Sequence, residues 1–213
     1  MEQNPYAAPQ VDLVDDSTPG DFRNGGWSAG RLRLLAGLSV GLLLGNLAQL
    51  FLSLTSSLKN MPLWERYELW VGTLCTILGC FLLWRTRTFL EDRFRARGLG
   101  WPVGLSIAIG IVMQVYGMVF DGQLNGELNG ALMGLMALFV PSGIVTLWYG
   151  VRLLKIELPY PSLKIMGWLE VFSGICLLSV LLFLLGTVLA MASLLPMALM
   201  FLRAARELDG AAR

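Results

Sequence analysis

The stretch Ile165–Leu202, IMGWLEVFSGICLLSVLLFLLGTVLAMASLLPMALMFL, runs 38 residues with Glu170 as its one charge. As a single α-helix it would be about 57 Å long, nearly twice the ~30 Å of hydrocarbon in a bilayer. Either one helix overhangs greatly or two helices turn inside the stretch, near Gly186–Thr187. Four other long uncharged runs precede it: Leu34–Leu58, Leu69–Trp84, Gly98–Phe120 and Leu128–Val151. Leu69–Trp84 is the shortest, and Glu68 and Arg85 can snorkel at its ends. The chain therefore reads as an all-α, polytopic transmembrane helix bundle, with six spans if the last stretch turns and five if it does not.

Basic residues choose between the two counts, because Lys and Arg concentrate on the cytoplasmic side. With six spans, only Lys59 and Arg66 of the 16 basic residues fall on the outer side. With five, Arg203, Arg206 and Arg213 move out and the asymmetry weakens. Six spans with both termini cytoplasmic is the expectation, at about 34–56, 67–86, 99–120, 129–151, 165–185 and 188–205. Residues 1–30 precede them as an acidic tail and 207–213 follow as a short one. The N-terminal tail carries Glu2, Asp12, Asp15, Asp16, Asp21 and three prolines, too little apolar area to offset its ordering entropy, so it is expected to be disordered.

Composition excludes several functional classes. Of the 213 residues, 55% are hydrophobic and only 15% charged, with a mean hydropathy of +0.64. A soluble domain carries roughly 25% charged residues, so this chain cannot cover a water-exposed surface. A net charge of +1 provides no field for gathering nucleic acid. No histidine is present, which removes the commonest general base and proton relay near neutral pH. Cys75, Cys80 and Cys176 all lie in apolar runs and read as small hydrophobes.

No metalloprotease, P-loop or dinucleotide-binding motif occurs, so no enzyme activity, metal or cofactor is expected. Gly37-Leu38-Ser39-Val40-Gly41 matches the nucleophile-elbow pattern. That motif needs a strand-to-helix turn and a base, and here it falls within a helix.

The opening Asn4-Pro5-Tyr6-Ala7-Ala8-Pro9-Gln10, with its acidic linker and Gly25-Gly26-Trp27, resembles the start of many small, uncharacterised bacterial inner-membrane proteins that share an NPYxxP-type leader. The resemblance covers the leader and the general layout, and implies the bacterial inner membrane as location. It transfers no functional residue to the membrane domain.

Within the spans, small and polar residues mark the positions of interest. Gly37, Gly41 and Gly45 repeat at four-residue spacing, which lets helix backbones approach closely where lipid offers no hydrophobic drive for association. They are expected to pack the first span against another helix, of the same chain in preference to a homodimer face. Gly130 and Gly134 are expected to do the same for the fourth, after a Gly122–Asn129 segment that is mostly loop. Asn46 sits mid-span, where an unpaired amide is costly, and should bond to another helix. Pro141-Ser142 in the fourth span predicts a kink. Glu170 is an intramembrane acid, expected at the interface or paired with Lys164. The arginines of Arg85–Arg97 form a topological loop that would meet anionic lipid headgroups.

Two functional classes follow. The favoured expectation is a non-enzymatic protein acting through helix association, with a membrane-protein partner or as a homo-oligomer. The alternative is a small-solute or lipid transporter or channel, with Asn46, Gln49, Gln114, Pro141, Ser142 and Glu170 as its polar interior.

Overall fold

A computed structural model describes residues 26–59, 62–120, 129–156, 160–179 and 181–211. The described residues form seven α-helices and no strand: α1 (Ala29–Lys59), α2 (Pro62–Phe94), α3 (Gly100–Phe120), α4 (Gly130–Leu154), α5 (Pro161–Leu178), α6 (Phe183–Ala192) and α7 (Leu194–Ala211). Helices α1 to α5 are each long and apolar enough to cross a membrane, and α6 with α7 forms a sixth such span across Phe183–Gly210. The protein is a six-span helical membrane protein. Residues 1–25 of the expected acidic tail and the glycines Gly122 and Gly126 lie outside the described residues, and Ala29 and Gly30, placed in that tail by the sequence, already open α1.

Each span packs against its neighbours in sequence, and α7 returns to α1, closing a ring. Side-chain contacts gather the start of α1, the end of α2, the end of α4, the start of α5 and the end of α7 at one face. There Arg33 pairs with Asp209, the Trp27 indole donates to Asp92 at 2.8 Å, and Arg93 pairs with Glu207 at 3.1 Å. Both ends of the described chain thus share the arginine-rich face. Outward, the ring shows lipid-compatible side chains such as Leu44, Phe51, Ile77, Val119 and Leu181, all exposed. Trp84, Trp101, Trp148 and Trp168 are exposed toward the arginine-rich end, as an interfacial aromatic belt requires.

The turn between the last two spans falls earlier than the sequence suggested. Helix α5 stops at Leu178 and α6 begins at Phe183, so Gly186 and Thr187 lie inside α6. Ser179 makes the turn. Its hydroxyl donates to the Cys176 carbonyl at 2.9 Å and accepts from the Leu182 amide at 3.1 Å, satisfying backbone groups that apolar surroundings would leave unpaired. Gly186 instead serves packing, since a Cβ there would meet the Ser173 carbonyl and the Leu177 backbone at 3.1 Å.

The closest helix crossing is α4 on α5. A Cβ on Gly174 would lie 2.6 Å from the Leu147 amide nitrogen and 2.8 Å from the Gly143 carbonyl. One on Gly150 would lie 2.7 Å from the Val171 amide nitrogen and 2.9 Å from the Gly167 carbonyl. Gly143 and Gly150 on α4, and Gly167 and Gly174 on α5, are each seven residues apart, a spacing that keeps both members on one helix face. These four glycines let the two backbones touch.

The glycines singled out in α1 behave differently. Gly37 and Gly41 have open space where a side chain would be, so they do not seat α1 against another helix of the chain. Four-residue spacing places them on one stripe, but that stripe faces outward. Gly45 does pack, directly over the Cys75 sulfur. Gly134 lies under the Tyr116 hydroxyl, which donates to the Ala131 carbonyl at 2.9 Å, while Gly130 at the helix start meets nothing. Ser39 is buried and donates to the Leu35 carbonyl at 2.9 Å, an ordinary helix contact.

Most of Arg85–Arg97 is helix rather than loop, because α2 continues to Phe94. Three of the arginines have partners within the protein. Arg85 lies over the Trp27 ring, Arg87 donates to Glu91 at 2.8 Å, and buried Arg93 reaches Glu207 and Tyr160. Burial, reinforced by the hydrogen bond it donates to Glu207, raises the Tyr160 phenol well above its ordinary range, so it stays protonated. Arg95, in a left-handed conformation at φ 50°, and Arg97 remain exposed at the turn into α3.

Candidate functional site

All six spans line one central cavity of about 350 Å³, at the small end of the size range of ligand pockets. Its apolar wall includes Leu42, Leu82, Met113, Val145 and Met191, and its polar groups come from different helices. Asn46 enters from α1, Ser106 from α3, Ser142, Thr146 and Tyr149 from α4, Glu170 from α5 and Thr187 from α6. Ser193, between α6 and α7, completes the set. Glu170 is the one charged side chain among these lining residues.

The α5 register explains why Glu170 points inward. Lys164 and Glu170 are six residues apart, which at about 100° per residue separates them by roughly 120° around the helix. Lys164 is exposed, whereas Glu170 faces the cavity, so the expected Lys164 pair does not form. Glu170 lies instead 2.6 Å from the Ser193 hydroxyl, which is also 2.8 Å from the Ala190 carbonyl. Ser193 marks the interruption of the sixth span, and Pro196 after it supplies no amide hydrogen to continue the ladder. Pro141, where the sequence suggested a kink, lies inside α4, which runs unbroken from Gly130 to Leu154.

Tyr149 adds an unusual feature. Its ring is buried at 3% exposure, and its hydroxyl is the one buried side-chain polar atom without a hydrogen-bond partner among the described residues. Such an atom forfeits about 1–3 kcal/mol of desolvation unless something bonds to it. Here it borders an empty volume within electrostatic reach of Glu170.

The six polar residues expected from the sequence therefore divide. Asn46, Ser142 and Glu170 meet at the cavity. Asn46 makes no hydrogen bond to another described residue, contrary to expectation, and borders the cavity instead. Gln114 bridges to α2, donating to Thr73 at 3.1 Å and accepting from Thr76 at 3.2 Å. Gln49 lies over Gly72 beside it, leaving no room there for a Cβ. These two glutamines clamp α1, α2 and α3 together outside the cavity, and Pro141 does not line it. Tyr149 and Ser193 were not anticipated. Trp148-Tyr149-Gly150 reads as an interfacial aromatic pair, and a lone serine in an apolar run gives no outward sign of its direction.

Packing is tight on the arginine-rich side of the cavity. Every span contributes a residue there with at most 1% exposure: Leu32, Phe89, Val103, Leu153, Met166 and Phe201. Phe89 packs edge-on against Trp27, Phe94 and Phe201 with ring centroids 5.3–6.2 Å apart. The Arg93–Glu207–Tyr160 cluster closes the layer. On the opposite side α1 and α3 pack sparsely. Past Asn46 no described residue of α1 is buried, and past Val103 none of α3 is.

Comparison with family models, with curated proteins and with solved structures found no match to this chain.

Proposed function

We propose that this protein binds a small solute within the bilayer and admits it from the face opposite the arginine-rich end. The observation carrying the proposal is that all six spans present polar side chains or small residues to one cavity containing a carboxylate. Polar and ionisable groups inside a membrane are costly, and they mark solute or ion pathways when they converge. The association reading has in its favour only that Gly37 and Gly41 face away from the rest of the chain, and nothing specifies a partner for them. By the positive-inside tendency, the arginine-rich face is cytoplasmic. The leader resemblance makes the bacterial inner membrane the location, and exposed Arg95 and Arg97 are the arginines of that turn left to meet anionic headgroups. The mechanism proposed is binding and passage, not chemistry on the solute.

Gly79→Phe provides the test. A Cβ on Gly79 would sit 3.7 Å from the Leu42 side chain, an ordinary contact at the cavity wall. That Cβ meets no backbone of another helix within 4 Å, and a ring on it would extend along the cavity wall. Proteoliposomes bearing the unmodified protein should take up at least one solute of about ten heavy atoms faster than protein-free vesicles. Gly79→Phe should abolish that uptake while keeping its melting temperature. Equal uptake by both proteins, or none by either across amines, acids, sugars and alcohols, would refute the proposal.

A further inference from the structure

Building on the proposed solute cavity, we infer that its ligand is a small organic cation, a primary ammonium with a short aliphatic body, with Glu170 as counter-ion. Charge complementarity carries the argument. Within the cavity wall α1, α2, α3, α6 and α7 contribute no ionisable side chain, and α4 contributes only Tyr149. Among the described residues no Lys or Arg lines the cavity with Glu170, and Lys164 on its own helix is turned away and exposed. An isolated carboxylate in a low-dielectric interior must be neutralised by a proton or a cation.

The hydrogen bonds around Ser193 accommodate both conditions. One hydroxyl hydrogen faces two oxygens, Glu170 Oε1 at 2.6 Å and the Ala190 carbonyl at 2.8 Å. A protonated Glu170 donates a hydrogen bond to the Ser193 oxygen, whose own hydroxyl then donates to the Ala190 carbonyl. An ionised Glu170 accepts from Ser193 and is free to pair with a cation. The binding step is therefore an exchange in which the ammonium enters, the carboxyl O–H bond breaks and the proton leaves to solvent.

The rest of the cavity fits such a ligand. Tyr149 presents an unpartnered hydroxyl near the carboxylate. Its oxygen can accept an ammonium hydrogen that Glu170 does not take. Leu42, Leu82, Met113 and Val145 supply apolar wall for an alkyl chain. At roughly 30 Å³ per water-sized unit in the liquid, the volume holds about ten heavy atoms.

Calorimetry on the purified protein in lipid nanodiscs tests this with isopentylammonium chloride and its uncharged isostere, isopentyl alcohol. The ammonium should bind at least tenfold more tightly than the alcohol. Its apparent heat should vary with the ionisation enthalpy of the buffer, reporting proton release. Glu170→Gln should erase both the preference and the buffer dependence. Tyr149→Phe removes only an unpartnered hydroxyl, so it should fold normally and bind the ammonium several-fold more weakly. Alcohol bound as tightly as ammonium would overturn the cation assignment and leave the solute cavity standing. A preference unchanged in Glu170→Gln would also overturn it, assigning the selectivity to the lipid. Binding of neither probe to folded protein would overturn the cation assignment, and retained uptake of another solute blocked by Gly79→Phe would show that the cavity reading survives it.

Discussion

Gly174→Leu is expected to leave little or no folded protein. A Cβ at this position would lie 2.6 Å from the Leu147 amide nitrogen and 2.8 Å from the Gly143 carbonyl. Both are backbone atoms of α4, so no rotamer change relieves the clash and the two helices must separate. In lipid, association depends on close van der Waals contact and interhelical polar bonds, so separating this pair removes much of what holds α5 in place. Loss of α5 also removes Glu170 and the Ser173 hydroxyl that donates to Gly186 at 2.7 Å. Gly41→Leu is the matched control, because its side chain would enter open space. Size-exclusion profiles and melting curves in one detergent should show Gly41→Leu unchanged and Gly174→Leu absent or aggregated. Equal tolerance of both would mean that α4 and α5 do not cross at these glycines.

Phe201→Ala is expected to breach the seal at the arginine-rich face. Phe201 is fully buried, and its ring centroid lies 5.3 Å from that of Phe89 in an edge-to-face contact. Deleting a buried phenylalanine ring costs about 3–5 kcal/mol through lost contacts and the void it leaves. The void would lie next to Met197, which already borders the central cavity. The variant should melt earlier and let a small thiol reagent applied at the arginine-rich face reach a cysteine introduced at Asn46. Leu199→Ala, at an exposed position on the same helix, should do neither. If Phe201→Ala melts normally, the aromatic layer is not the seal.

The sequence disclosed some of these features and hid others for identifiable reasons. Six spans and the shared face of both ends of the described chain were legible because apolar length and arginine placement are coarse properties that survive errors of register. The last turn was misplaced because its flanks are apolar throughout. Ser179 makes it with one hydroxyl, while Gly186-Thr187 looks like a break and serves packing. The α4–α5 seam was hidden by its spacing, since its glycines repeat at seven rather than four. Glu170 was visible as an intramembrane acid, yet which way its side of α5 turns is set by the packing of the other spans around it. Tyr149 could not be singled out, because an unsatisfied hydroxyl is a property of its surroundings.

Two-sided thiol modification tests the central claim, a cavity reached from one face, most directly. In protein whose native Cys75, Cys80 and Cys176 are replaced by alanine, cysteine would be introduced singly at Asn46, Ser106 and Phe201. Oriented membranes would then meet a membrane-impermeant reagent from either side. Reagent at the face opposite the arginines should modify Asn46→Cys quickly and Ser106→Cys more slowly, and both reactions should stop when Gly79→Phe is added. Reagent at the arginine-rich face should leave Asn46→Cys and Ser106→Cys unmodified. Phe201→Cys should resist the reagent from the opposite face. Faster reaction of Ser106→Cys from the arginine-rich face, or an Asn46→Cys inert from both sides, would contradict the account.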